Sequence, residues 1–168
     1  MKRTLLLALA TGLVLAGCTR STDPLEWEIR ADDPGELQNW LGKNLLAMPL
    51  DLAEEAVVCI NNIRADTSQG PTGKQRDYRF CQRINGRTIR DALIEGHELA
   101  DRMLQARIAN ESDAVVSLLS TADQLGPEDL KKREALMNAH LAARRKWEQE
   151  LTRGEKRIAR LRQRPAQP

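Results

Sequence analysis

The stretch Glu128–Arg162, EDLKKREALMNAHLAARRKWEQELTRGEKRIARLR, runs for 35 residues without a proline. Within it Leu136, His140, Ala143, Trp147, Leu151, Ile158 and Leu161 fall on one side of a 3.6-residue period. A strand needs strict alternation, so this pattern decides for a long helix. Gly154 interrupts it, at about 1 kcal/mol relative to alanine in a helix interior. Past Gly154 the apolar side thins to Ile158 and Leu161, and the pattern predicts a last helix that projects beyond the rest of the chain.

The same period recurs upstream. Asp33-Pro34-Gly35-Glu36 reads as a helix start, with Asp33 capping, Pro34 in the first turn and Glu36 at the capping-box position. Leu37, Trp40, Leu41 and Leu45 share one face, and Pro49 ends the segment. Asp51 can cap a second helix with Leu52, Val57, Ile60 and Ile63 on its apolar side and Cys59 beside it. Residues 66–76 read as a loop. A third helical region starts near Asp77 with Tyr78, Phe80, Cys81 and Ile84, weakens at Asn85-Gly86, and restarts with a capping box at Thr88-Ile89-Arg90-Asp91. Ile89, Leu93, Ala100, Leu104 and Ile108 carry it on. Asn110 or Ser112 is expected to turn a corner before a short helix built on Val115, Val116, Leu118, Leu119, Ala122 and Leu125, which Gly126-Pro127 stops. The prediction is all-α: a bundle of four or five helices with a long, projecting C-terminal helix.

Composition agrees with helices. Aromatic residues make up 3% and charged residues 30% of the 168-residue chain. The core must be built from Leu, Ile, Val, Met and Ala, a set that suits packed helices better than sheets. Charge is uneven. Residues 144–168 hold nine basic and three acidic side chains, whereas residues 19–143 hold 15 basic and 21 acidic ones. An acidic body with a basic end is a dipole.

The N-terminus sets the expected compartment. Lys2 and Arg3 precede TLLLALATGLVLA (residues 4–16), 13 uncharged residues that are too short for a hydrocarbon core needing about 20. A charged start, a short apolar core and small residues at the cut mark a secretory signal. With Leu15-Ala16-Gly17-Cys18 following, the segment resembles the signal peptide and lipobox of bacterial lipoproteins. That resemblance covers residues 1–18 only. It implies removal of residues 1–17, acylation of Cys18 and a stable lipid anchor, since two or more acyl chains hold where one holds marginally. Thr19 rather than Asp after the cysteine implies the inner leaflet of the outer membrane, facing the periplasm, with the inner membrane as the alternative. Residues 18–32 then read as a tether, 33–152 as the helical domain, and 153–168 as its basic end and tail.

In that compartment the two remaining cysteines, Cys59 and Cys81, are expected to form a disulfide closing a 23-residue segment, worth about 3 kcal/mol by chain entropy. Chemistry is sparse. His97 and Asp101, in Gly96-His97-Glu98-Leu99-Ala100-Asp101, lie at i, i+4 and faintly resemble half of a zinc motif, but no third ligand is identifiable. They read as a solvent-facing pair. His140 reads as a packing residue. No nucleophile elbow, Ser-x-x-Lys signature, P-loop or dinucleotide fingerprint exists. No catalytic residue, metal or cofactor is expected. The basic end, Arg153, Lys156, Arg157, Ile158, Arg160, Leu161 and Arg162, is the expected surface for a partner or an anionic face. Nucleic acid is an improbable target for an exported chain. The expected function is a non-enzymatic, membrane-anchored accessory or assembly factor of an envelope machine of the secretion, conjugation or pilus type. The alternative is a module binding lipopolysaccharide, peptidoglycan or phospholipid. Self-association through the last helix is left open.

Overall fold

A computed structural model describes residues 21–68, 73–120 and 126–163. One turn of 3₁₀ helix, Pro24–Glu26, is followed by five α-helices: α1 Pro34–Leu45, α2 Leu50–Thr67, α3 Lys74–Ile84, α4 Ile89–Ser120 and α5 Pro127–Arg162. The all-α expectation holds.

Local chemistry sets most boundaries. The Asp33 carboxylate accepts from the amides of Gly35 (2.7 Å) and Glu36 (2.9 Å), and Pro34 occupies the first turn. Glu36 reaches back to the amide of Asp32 at 2.9 Å, completing a variant of the capping box. Asp51 lies within the first turn of α2 rather than capping it, where a carboxylate favours the helix dipole. Thr88 and Asp91 form the box that starts α4, with the Asp91 amide donating to Thr88 Oγ1 at 3.1 Å and Thr88 Oγ1 to Asp91 Oδ2 at 2.8 Å.

The corner expected near Asn110 or Ser112 does not exist. α4 is one 32-residue helix, about 48 Å long. Ser112 stays helical by donating its hydroxyl to the Ile108 carbonyl at 2.9 Å. Val115–Ser120 therefore belongs to α4, while Ala122 and Leu125 lie outside the described residues. Gly154 does not interrupt α5, which runs 36 residues.

The core gathers Leu37 from α1, Ala56, Cys59, Ile60 and Ile63 from α2, Phe80, Cys81 and Ile84 from α3, Ile89, Ala92, Leu93 and Leu99 from α4, and Leu161 from α5. Ile29 and Ala31, placed by the sequence in a tether, are fully buried members of it. The segment around them lies as an extended strap over the α3–α4 connection. The Ile29 amide donates to the Arg87 carbonyl (2.8 Å), the Gly86 amide to the Ile29 carbonyl (2.9 Å), and the Ile89 amide to the Trp27 carbonyl (3.0 Å). An Asn85 side-chain oxygen takes the Ala31 amide at 2.8 Å. Backbone pairing with a distant loop is invisible to a reading by local period.

The expected disulfide is absent. Cys59 and Cys81 are both buried free thiols. Cys59 is pressed against the backbone of Gly96 in α4, whereas Cys81 lines a cleft beside Leu37 and Leu41 of α1. The two side chains serve different interfaces of the same core.

The buried residues of α4 all fall within 89–101, and those of α5 are Ile158 and Leu161. From 102 to 120 and from 127 to 157 no residue is fully buried. The rest of the α4–α5 pair is thus a two-helix antiparallel arm standing on the core. The expected projection of the C-terminal end of α5 is not found; it is the N-terminal part of α5 that leaves the bundle. The C-terminal end is the part that docks.

Candidate functional site

Three features of this architecture bear on function: a polar junction of three helices, a clamp at the base of the α4–α5 pair, and the arm itself.

At the junction, α2, α4 and α5 meet at two glycines. A Cβ on Gly96 would lie 2.3 Å from Cys59 Cβ and 2.5 Å from its Cα, and one on Gly154 would lie 2.3 Å from Asp101 Oδ1. These close approaches bring Glu55 of α2 against His97 of α4 and Arg157 of α5. Glu55 Oε1 lies 2.7 Å from His97 Nε2, and Arg157 donates to both carboxylate oxygens, Nε to Oε1 at 2.7 Å and Nη2 to Oε2 at 2.6 Å. Burial alone would raise the Glu55 pKa, but the hydrogen bonds from His97 and Arg157 and the charge of Arg157 prevail and hold it at about 2. Asp101, one turn beyond His97, is buried. Burial raises its pKa, against the pull of His97 and with help from Glu155 and Glu98. The His97–Asp101 pair is therefore not solvent-facing: its two side chains are built into helix contacts. Cys59, one turn from Glu55, is pushed up to about 12 by burial and by the Glu55 charge, so it is a protonated, inert thiol at neutral pH. Among the described residues no group of three or more His, Cys, Asp and Glu is placed to hold a metal ion. His140, half-buried as expected, pairs with Glu111 of α4 at 2.6 Å.

The basic end does not form one surface. Ile158 and Leu161 are 7% and 1% exposed and pack inward. Arg157 is spent on Glu55, and Arg162 donates to Glu98 at 2.6 Å. Arg153, Lys156, Arg160 and Arg162 stand exposed, the last with its charge met by Glu98 at the surface. The sequence shows alternating charge and apolar residues there, but the acids that absorb the charge come from α2 and α4.

The base clamp had no sequence signal beyond an arginine in a helix's first turn. Arg90 is 6% exposed. Its Nη1 donates to the Leu161 carbonyl at 2.9 Å, satisfying the C-terminus of α5. Its Nε donates to Glu26 at 2.8 Å, and Asp23 lies 3.5 Å from Nη2. One guanidinium thus ties the N-terminal strap, the start of α4 and the end of α5 together.

The arm is a coiled-coil-like hairpin. Asp101, Leu104, Ile108, Glu111, Val115 and Leu118 on α4 recur at alternating three- and four-residue steps, as do Met137, His140, Arg144, Trp147, Leu151, Gly154, Ile158 and Leu161 on α5. Arg107 lies over the Trp147 ring at 4.9 Å. Outside this seam the arm exposes Met103, Val116 and Leu119 on α4 and Leu130 and Leu136 on α5, at 42–64%. The sequence had placed Leu136 inside the stripe; α5 is rotated so that Met137 takes the seam instead.

Cys18 lies outside the described residues. No helix among the described residues is long and apolar enough to cross a membrane. No protein-family model, curated protein or solved structure matches this chain.

Proposed function

We propose that this protein is a lipid-anchored, non-enzymatic docking factor of the bacterial envelope, in which the α4–α5 arm takes a helix of an envelope protein partner. The observation that carries this reading is the opposition of the two ends. The strap that leads back to Cys18 is held by Arg90 at the base of α4. The exposed Val116 and Leu119 lie near the other end of the same helix, about 40 Å away at 1.5 Å per residue. An anchor at one end and unpaired apolar side chains at the other suit a post that presents a binding surface away from a membrane.

Two further features support the reading. Two helices alone bury too little apolar surface for a stable unit, and a third helix laid along the exposed side completes a bundle. Among the described residues, the clefts of about 580, 530 and 340 Å³ are lined by side chains other than Glu55 and His97, which supports reading the polar junction as a helix contact. The wider expectation of a secretion, conjugation or pilus machine stands as part of this proposal. The anionic-surface alternative is reduced to Arg153, Lys156 and Arg160, since Arg157 is paired with Glu55 and the exposed Arg162 with Glu98.

The test is affinity capture from detergent-solubilised envelopes with the wild-type chain and with a Val116→Asp, Leu119→Asp double variant. Loss of a specific envelope partner with unchanged thermal stability is expected. A partner set unchanged by the arm variant but lost on deletion of residues 163–168 or neutralisation of Arg153, Lys156 and Arg160 would overturn the arm as the docking element.

A further inference from the structure

The two most exposed large apolar side chains of the described residues are not on the arm. They are Leu46 and Leu50, 90% and 75% exposed, at the corner between α1 and α2. Pro49 between them is exposed as well, and only Met48 turns inward. Nothing in helix packing asks for two bare leucines there. Local composition does not make the corner electrostatically attractive to an anionic surface either: Lys43 precedes it, while Asp51 and Glu54 follow.

What adjoins the corner gives it a meaning. Ser21, the first described residue, lines an open cleft of about 580 Å³ together with Lys43 and Asn44 of the last turn of α1. The same cleft holds Trp27 and Trp40, two of the three tryptophans in the chain. Trp27 is fixed there by donating its indole N–H to the Ser21 carbonyl at 2.8 Å. The chain therefore leaves the domain beside the end of α1, and Leu46 follows Asn44 by two residues. From Ser21 back to Cys18 there are three residues, a reach of at most about 11 Å. Because Ile29 and Ala31 are core rather than tether, no slack remains upstream of the strap beyond this short link.

We infer that the α1–α2 corner is a bilayer contact: Leu46 and Leu50 insert at the acyl boundary of the membrane that carries the Cys18 anchor, with Trp27 and Trp40 at headgroup level. This inference rests on the lipid-anchored reading above and adds an orientation to it. The occupant is lipid because the link is too short to hold the domain clear of the surface in which its own acyl chains sit. Amphipathic indoles prefer that depth. The contact is apolar, so it persists at high salt and needs no anionic lipid, unlike binding through Arg153, Lys156 and Arg160. It also stops the domain from pivoting about a single point, which keeps the arm pointing away from the membrane.

The experiment uses the full chain purified from membranes and reconstituted into phosphatidylcholine vesicles with brominated acyl chains. Trp147→Phe removes the arm's indole, so fluorescence reports Trp27 and Trp40 alone, and intact mass reports acylation of Cys18. Acylated protein is expected to lose emission relative to the same protein in unbrominated vesicles, as for indoles seated at the acyl boundary, in low and high salt alike. A Leu46→Asp, Leu50→Asp variant, both at exposed positions, is expected to stay acylated and folded but to lose the quenching. Acylated protein that is not quenched, or quenching that survives the double substitution, overturns the membrane-facing corner while leaving the anchor in place. A chain without acyl groups on Cys18 removes the anchored reading itself and this inference with it.

Discussion

At the scale of single residues, the two junction glycines reverse the ordinary arithmetic of helix propensity. Alanine at a helix-interior glycine position normally gains about 1 kcal/mol. At Gly96 the new Cβ would lie 2.3 Å from Cys59 Cβ and 2.7 Å from the Cys59 carbonyl oxygen, atoms that cannot move without shifting α2. Gly96→Ala is expected to destabilise by about 2–3 kcal/mol or more, read as a lower denaturation midpoint. Gly154→Ala meets the Asp101 carboxylate instead, a side chain that can turn away, and a smaller loss of about 1 kcal/mol is expected. A stabilised Gly96→Ala protein would refute the close packing of α2 on α4. The thiols offer a second check. Cys59 and Cys81 are expected to resist alkylation while folded and to react, both of them, once unfolded without reductant. Protein that exposes neither thiol on unfolding would restore the disulfide.

Glu55 gives a pH signature. Its pKa is about 2 in the folded chain against an ordinary 4.5, so it contributes stability that is complete above pH 4.5 and is lost as pH falls toward 2. The shift sets a ceiling of about 3 kcal/mol, which solvent screening of the part-exposed Arg157 reduces. Glu55→Gln is expected to lower stability at neutral pH and to flatten its fall between pH 4.5 and 2. An unchanged pH profile would show that the three-helix contact is not carried by this carboxylate.

At the scale of elements, α4 and α5 each have two halves of different standing. Residues 89–101 of α4 and 158–161 of α5 sit in or on the core, whereas the arm buries no side chain fully. Helices of such length hold together through packing, not propensity. Amide exchange should divide accordingly: slow for residues 92–101, faster for 103–120 and 127–150, with the arm opening without global unfolding. Uniform protection along α4 would mean that the arm is as stable as the core. The polar seam pair of Glu111 with His140, and the close fit of Asp101 over Gly154, favour one register between two helices that could otherwise slide by a turn. The boundaries of α1 were legible because Asp33, Pro34, Glu36 and Pro49 act within a few residues. The continuity of α4 through Asn110 and Ser112 was not, because it depends on a hydroxyl bonded back to Ile108 and on α5 running alongside.

For the molecule as a whole, Arg90 is a residue that ties distant segments together. It joins the strap to the base of both long helices. Arg90→Met keeps the buried stem but leaves the Leu161 carbonyl and Glu26 without their donor. A loss of about 2–3 kcal/mol is expected, together with easier proteolysis near residues 21–28. A variant as stable and as protease-resistant as the parent would sever the proposed coupling of anchor and arm. The architecture also accounts for the spread of charge. The basic surplus of residues 144–168 suggested a binding tail, but Arg157 meets Glu55 in a part-buried pair and Arg162 meets Glu98 at the surface. Two of its nine basic charges are thus paired with acids of α2 and α4.

The sequence by itself determined the helical class, most helix boundaries, the capping of α1 and α4, and the expectation of an anchor at Cys18. These rest on interactions spanning a few residues, which a linear reading captures. Only the tertiary structure decided which end of α5 projects, that Ile29 and Ala31 are core, that Cys59 and Cys81 serve separate interfaces, and that Gly96 and Gly154 are contact points. Each of those depends on the partner supplied by a distant element: Arg87 and Asn85 for the strap, Gly96 for Cys59, Glu55 and Glu98 for the basic end. Packing against remote segments leaves no period in the chain.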